Sequence, residues 1–198
     1  MTEASHTLLA LGRSILDRYS TLSGVACTAI TGSSAEGHAD HHSDLDMTIY
    51  YDVLPPEAVL RRTRESVSDG ALVWSMGTHA DGEFAEAFQV NGVEVQIGHT
   101  TVERWEAALA SVLTGEEPGS PLHKAMSGTL VSIPVTGAER LAAWQARLRD
   151  YPDALRLAMV RKHLTFFRVW ALAPRLQVRD GRLWFRQKEL SGRRPNEL

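Results

Sequence analysis

The chain has one cysteine, no long apolar run and no surplus of basic charge, and each lack removes a class of protein. Cys27 lies alone in the apolar stretch Val25–Ile30, so no internal disulfide can form and a reducing cytosol fits best. With no helix N-terminus or basic cluster beside it in sequence, Cys27 reads as a small buried hydrophobe and not as a nucleophile. No apolar segment approaches the ~20 residues of a membrane span. The N-terminus carries Thr2, Glu3, Ser5 and His6, not the basic start of a signal peptide, so a cytoplasmic protein is expected. The net charge of −3 gives no footprint for coating nucleic acid, although a nucleotide or a single nucleic-acid end remains open as substrate. There is neither a cysteine pair nor a helical His-x-x-x-His. His38, His41 and His42 therefore read as a polar loop and not as a closed zinc site.

What is present is ordinary globular material, 43% hydrophobic and 23% charged over 198 residues. That length can bury one α/β domain with a smaller helical part. Leu8, Leu11, Ile15 and Tyr19 recur at helical spacing between Ala4 and Leu22. Val25–Thr31 and Leu45–Tyr51 read as strands, separated by a Gly/Ser/His-rich loop over Gly32–Ser43. A helix is expected from Pro55–Pro56 to Val67. Phe84–Val90 and Val93–His99 flank Asn91-Gly92, the signature of a two-residue hairpin turn. Val102, Trp105, Leu109 and Val112 begin a helical region with further helices over Leu122–Leu130, Ala138–Arg149 and Pro152–Leu172. The polar, basic end Ser191–Leu198 reads as a frayed tail. The expected architecture is α+β: a small mixed sheet with flanking helices over residues 1–105, then a helical region over 106–198.

The chemistry concentrates in Thr31–Asp46. Asp44 and Asp46 stand two apart where the chain enters a strand, so their side chains leave the same face. Two carboxylates ~6 Å apart repel by ~3 kcal/mol at an effective dielectric of about 20. A bridging Mg²⁺ offsets this, being a hard cation held by one or two carboxylates and substrate phosphate oxygens. Gly32-Ser33, at the end of the preceding strand, offers close backbone approach, a hydroxyl and an amide N–H to a phosphate. Glu94, on the polar side of Val93–Ile97, could bind a metal or act as general base if its strand lies beside the aspartates. His42 is placed near the phosphates. Lys162, or its neighbour Arg161, either reaches a triphosphate across a cleft or belongs to the charged outer face of a helix whose core stripe includes Phe166, Phe167 and Trp170.

Gly32-Ser33, then Asp44-Leu45-Asp46 after the spacer 34–43, resembles the signature of the DNA polymerase beta-type nucleotidyltransferase superfamily. The fuller string through Ala35, Gly37, Ala39-Asp40 and Ser43 is similar to its small bacterial branch, which holds the aminoglycoside, lincosamide and minimal nucleotidyltransferases. Val93-Glu94-Val95 is similar to the strand carrying that superfamily's third carboxylate. The resemblance spans residues 25 to 100 and departs at Glu36, where this branch commonly has arginine, and at Glu94, where aspartate is usual. It implies an ATP or other nucleoside triphosphate donor, two Mg²⁺ ions bound by Asp44, Asp46 and Glu94, and transfer of a nucleoside monophosphate to a hydroxyl. Gly32, Ser33, His42 and Lys162 would contact the nucleotide. The expected acceptor is a hydroxylated small molecule, antibiotics included. An antitoxin-like enzyme modifying a protein partner, and a relative that only binds nucleotide, remain as rivals.

Overall fold

The computed structural model describes the backbone of residues 1–115, 122–170, 176–179 and 182–185, with side chains through residue 164. The expected aromatic stripe at Phe166, Phe167 and Trp170 and the tail Ser191–Leu198 lie outside the described side chains or residues.

Helix α1 (Glu3–Ser20) starts at Thr2, whose Oγ1 accepts from the backbone N–H of Ser5 at 3.1 Å. Its apolar stripe is wider than the expected one: Leu9 and Leu16 join Leu8, Ile15 and Tyr19 in the buried face. The next elements are strand β1 (Val25–Ile30), short helix α2 (Gly32–Glu36), strand β2 (Leu45–Tyr51) and helix α3 (Glu57–Glu65). Strands β3 (Trp74–Thr78), β4 (Glu83–Val90) and β5 (Val93–Thr101) follow. Asn91 and Gly92 both take positive φ, 53° and 77°, as a type I′ hairpin between β4 and β5 requires. Helices α4 (Val102–Thr114) and α5 (Leu122–Val131), strand β6 (Ile133–Thr136) and helices α6 (Ala138–Arg149) and α7 (Asp153–Trp170) complete the main body. Strands β7 (Leu176–Arg179) and β8 (Arg182–Phe185) form a separate two-stranded ribbon.

The six-stranded sheet has the order β3-β4-β5-β2-β1-β6, with β2 and β5 parallel and the other pairs antiparallel. The architecture is thus the expected α+β one: a mixed sheet with flanking helices. Strand β6 comes from the region read as helical. It is a four-residue edge strand containing Pro134, which an edge tolerates because one side of the strand needs no N–H donor. Strand β3, at the other edge, is mostly exposed and shows no apolar alternation.

Period-two alternation sorts the sheet into two faces. Leu45, Met47, Ile49 and Tyr51 of β2 join Val95 and Ile97 of β5 against α1 and Leu60 of α3. Each fully buried side chain of this kind contributes ~1.5–3 kcal/mol. On the opposite face Cys27, Ala29 and Tyr50 pack under Trp105 and Leu109 of α4, Met126 of α5 and Leu141 and Trp144 of α6. Cys27 is fully buried, and burial pushes its thiol up to about 11, consistent with an inert core residue. Gln145 of α6 donates to the carbonyls of Thr129 and Ser132 at 3.1 and 3.0 Å, satisfying carbonyl oxygens left open at the end of α5. Helices cover this face over β1 and β2 but leave the half carrying Gly98 and Ala85 open. That uncovered half is where a cleft forms.

Candidate active site

The bend after β1 is built around Gly32. Its φ is +67°, and a Cβ there would run into a carboxylate oxygen of Asp46. Glycine is therefore required twice, for the backbone and for the approach. The Thr31 N–H donates to the Asp46 carbonyl at 2.9 Å, tying the bend to β2. Thr31 Oγ1 donates to the Gly128 carbonyl of α5, also at 2.9 Å. A side chain at Gly128 would meet that hydroxyl at 2.9 Å, so this glycine lets α5 close onto the bend. Lys124 lies one turn before Gly128 on the same helix face.

The loop expected over Gly32–Ser43 is instead a short helix followed by a turn. Helix α2 ends at Gly37, whose left-handed φ of 85° allows its N–H to donate back to the Ser33 carbonyl at 3.0 Å. Ser34, fully buried, donates to the Thr31 carbonyl at 3.3 Å, while Ser33 is half-buried. Asp40 accepts from the His42 N–H at 2.9 Å and from Ser43 Oγ at 3.0 Å. The backbone bond first and the serine second hold its carboxyl below the usual range. Asp40 and Ser43 are thus turn scaffolding that delivers the chain to Asp44.

Asp46 is half-buried. Burial chiefly, and then the charge of Asp44, raises its carboxyl above the usual range, and Lys124 opposes the shift. A like-charged pair with one member partly desolvated is a site that gains from a cation. Lys124 went unremarked in the sequence because nothing near it carries a motif. Its relevance comes from the Thr31–Gly128 contact, which joins segments 97 residues apart.

The parallel register pairs Leu45 with Val95 and Asp46 with Gln96, so β5 does lie beside β2 as the reading of Glu94 required. The residue beside Asp46 is however Gln96, and Glu94 stands one step back, level with Asp44. Gln96 Nε2 donates to Asp44 Oδ2 at 2.8 Å and to Glu94 Oε1 at 3.0 Å. Trp74 Nε1 donates to the same Glu94 oxygen at 3.3 Å. Among the described residues, no group of three or more His, Cys, Asp and Glu side chains is placed to hold a metal ion. The donor chemistry of Asp44 with Asp46 suits one hard divalent cation completed by phosphate oxygens. A cage of all three carboxylates is not assembled.

Two hollows flank this row. The larger, about 500 Å³, has Thr48, Gly98 and Ala85 along its floor, Gly32 and Asp46 at one end, and Trp105 and Lys124 among its helical walls. That size is within the range of small-molecule sites. A smaller polar hollow, about 390 Å³, holds His41, His42, Asp44 and Glu94. His42 packs against His41 with ring centroids 3.8 Å apart and planes tilted by 41°. Lys162 is exposed on α7 and lines neither hollow. Among the described residues no helix is long and apolar enough to cross a membrane.

No protein-family model matches the chain, and no curated protein matches it. Among solved structures it is similar to a nucleotidyltransferase-like protein from Exiguobacterium sibiricum 255-15, at 11% identity and a TM-score of 0.41. The match covers 80% of this chain and 46% of that one, so the chain spans less than half of that protein's length. The functional reading therefore rests on the chain's own residues.

Proposed function

We propose that the protein transfers a nucleoside monophosphate from ATP, or another nucleoside triphosphate, to a hydroxyl of a small acceptor. The observation that carries this is Asp46: a half-buried carboxylate raised by burial and by Asp44, set against the Gly32 bend and facing a cleft that Lys124 lines. Asp44 and Asp46 would hold Mg²⁺ in this reading. When bound, the ion would neutralise charge on the donor phosphates.

The chain's own groups account for the rest. Gly32, at the Asp46 end of the cleft, and Ser33 beside it in the chain would offer backbone N–H groups and a hydroxyl to the donor phosphates. Lys124 supplies a positive charge across from Asp46, the kind of fixed charge that favours a phosphoryl transition state. Thr48, Gly98 and Ala85 leave floor space for the acceptor. In the transfer, the acceptor oxygen bonds to the α-phosphorus and the bond from that phosphorus to the β-bridging oxygen breaks. Pyrophosphate leaves, and the hydroxyl proton passes to water.

The test is mass-spectrometric detection of products carrying an added nucleotide, from ATP and Mg²⁺ with a panel of hydroxylated metabolites and antibiotics. Product from wild type and none from Asp46→Asn supports the reading; equal product from both ends it. One observation favours a second reading, a relative that binds nucleotide without transferring it: the amide of Gln96 stands where a further carboxylate would face Asp46. Calorimetric binding of ATP without any product across the panel would favour that reading.

A further inference from the structure

The two-ion arrangement implied by the resemblance does not fit the residues around Gln96. We propose that the protein itself binds one divalent cation, at Asp44 and Asp46, and that Gln96 is a neutral clasp holding Glu94 out of cation binding. This rests on the reading of the two aspartates as a cation pair.

The argument starts from the donors of one amide. A glutamine NH₂ group has two hydrogens, and here one goes to each flanking carboxylate, Asp44 at 2.8 Å and Glu94 at 3.0 Å. Trp74 adds a further donor to Glu94 Oε1, at 3.3 Å. Four polar groups thus form one chain from β3 across β5 to the residue before β2: Trp74 donates to Glu94, and Gln96 donates to both Glu94 and Asp44. Hydrogen bonds to an ionised acceptor are the stronger kind. Glu94 is therefore satisfied by neutral donors and has less to gain from a cation than Asp46, which is half-buried and whose carboxylate accepts no hydrogen bond among the described residues. The strand register reinforces this. Side chains leave one face at alternate positions, and the residue level with Asp46 on β5 is Gln96, so Glu94, one step back, can reach Asp46 only past the amide. Glu94 opens to the smaller hollow and is absent from the lining of the large cleft that Asp46 faces.

The experiment counts Mn²⁺ on the full chain without nucleotide, by electron paramagnetic resonance titration and calorimetry. Wild type should bind one ion, Asp46→Asn should lose it or weaken it at least tenfold, and Glu94→Gln should leave both number and affinity within about threefold. Gln96→Glu should add a second ion, by setting a third carboxylate beside Asp46. Two ions on wild type, or loss of an ion in Glu94→Gln, would overturn the proposal. No ion on wild type would overturn the cation-pair reading along with it, so the two failures are distinct. The counts on wild type and Glu94→Gln decide the matter even if Gln96→Glu does not fold, since Glu94→Gln keeps the side chain's shape and its acceptor oxygen.

Discussion

Replacing Gly32 by alanine tests the bend and the aspartate together. An L-residue held at φ +67° costs ~1–2 kcal/mol relative to glycine. The new Cβ also collides with the Asp46 carboxylate, and turning that side chain off its rotamer costs ~0.5–1.5 kcal/mol more. The sum, ~1.5–3.5 kcal/mol, corresponds to a fall in Tm of roughly 5–10 °C for a chain of this size. The control is Gly98→Ala. A Cβ there meets Thr48 at 3.8 Å, ordinary contact, and the backbone is not left-handed, so stability should be unchanged or slightly higher. Urea unfolding and thermal melts of both variants measure the first effect. Mn²⁺ titration measures the second, a loss of at least tenfold in affinity in Gly32→Ala because Asp46 is displaced. A Gly32→Ala protein as stable as Gly98→Ala, with cation binding intact, would refute the assignment of Gly32 to both tasks.

On the opposite face of the sheet, Arg64 Nη1 donates to Glu86 Oε2 at 2.7 Å and the Tyr51 hydroxyl meets His99 Nδ1 at 2.9 Å, all largely buried. Arg64→Met leaves the Glu86 charge without its cation and should destabilise by roughly 3 kcal/mol in urea unfolding; an unchanged midpoint would show that the pair is not formed. His99 is held below its ordinary 6.5, by burial first, and Glu86 ends below 4.5 because His99, whose Nε2 lies 3.4 Å away, and the Arg64 guanidinium together outweigh its burial. Both groups bind more protons when unfolded, so stability should fall as pH drops below ~6.5 and fall further through the carboxylate range. His99→Gln should remove the upper part of that slope, and a slope unaltered by this change would exclude the histidine as its source. Lys124→Met removes the charge that opposes the shift of Asp46, so the aspartate, followed by carboxyl ¹³C NMR, should titrate at higher pH than in wild type. An unmoved titration would place the lysine elsewhere.

The parts of the fold that were legible are those where local chemistry and tertiary packing agree. Leu45–Tyr51 carries its own alternation and forms β2 over that span. Asn91-Gly92 carries its own turn geometry, and all four residues of the stripe from Val102 to Val112 are buried in α4. Strands β3 and β6 were not legible, for a common reason. Each is a short edge strand, and its identity comes from the neighbour that pairs with it: Trp74 with Ala87, Pro134 with Ala29. A strand of four or five residues is too short for a readable pattern: β3 has none, and β6 offers only Ile133 and Val135, packed against the core on either side of exposed Pro134.

The site divides in the same way. Gly32 and Asp46 could be picked out because their contact follows from one short connection between adjacent strands. Gln96 and Lys124 could not, because their meaning depends on register and on helix placement. A shift of one residue between β2 and β5 would have put Glu94 beside a different partner and turned Gln96 to the other face. The carboxylates are spaced in sequence as a cation site requires, but their spacing does not say which of them share a rung. The observed register sets an amide beside Asp46, and the hydrogens of that amide go to the two carboxylates the sequence reading grouped with it. Whether the three acids act as one set is therefore decided by a residue that is not itself an acid. The change from Gln96 to Glu, one that leaves every motif residue in place, is the one expected to alter the number of cations held.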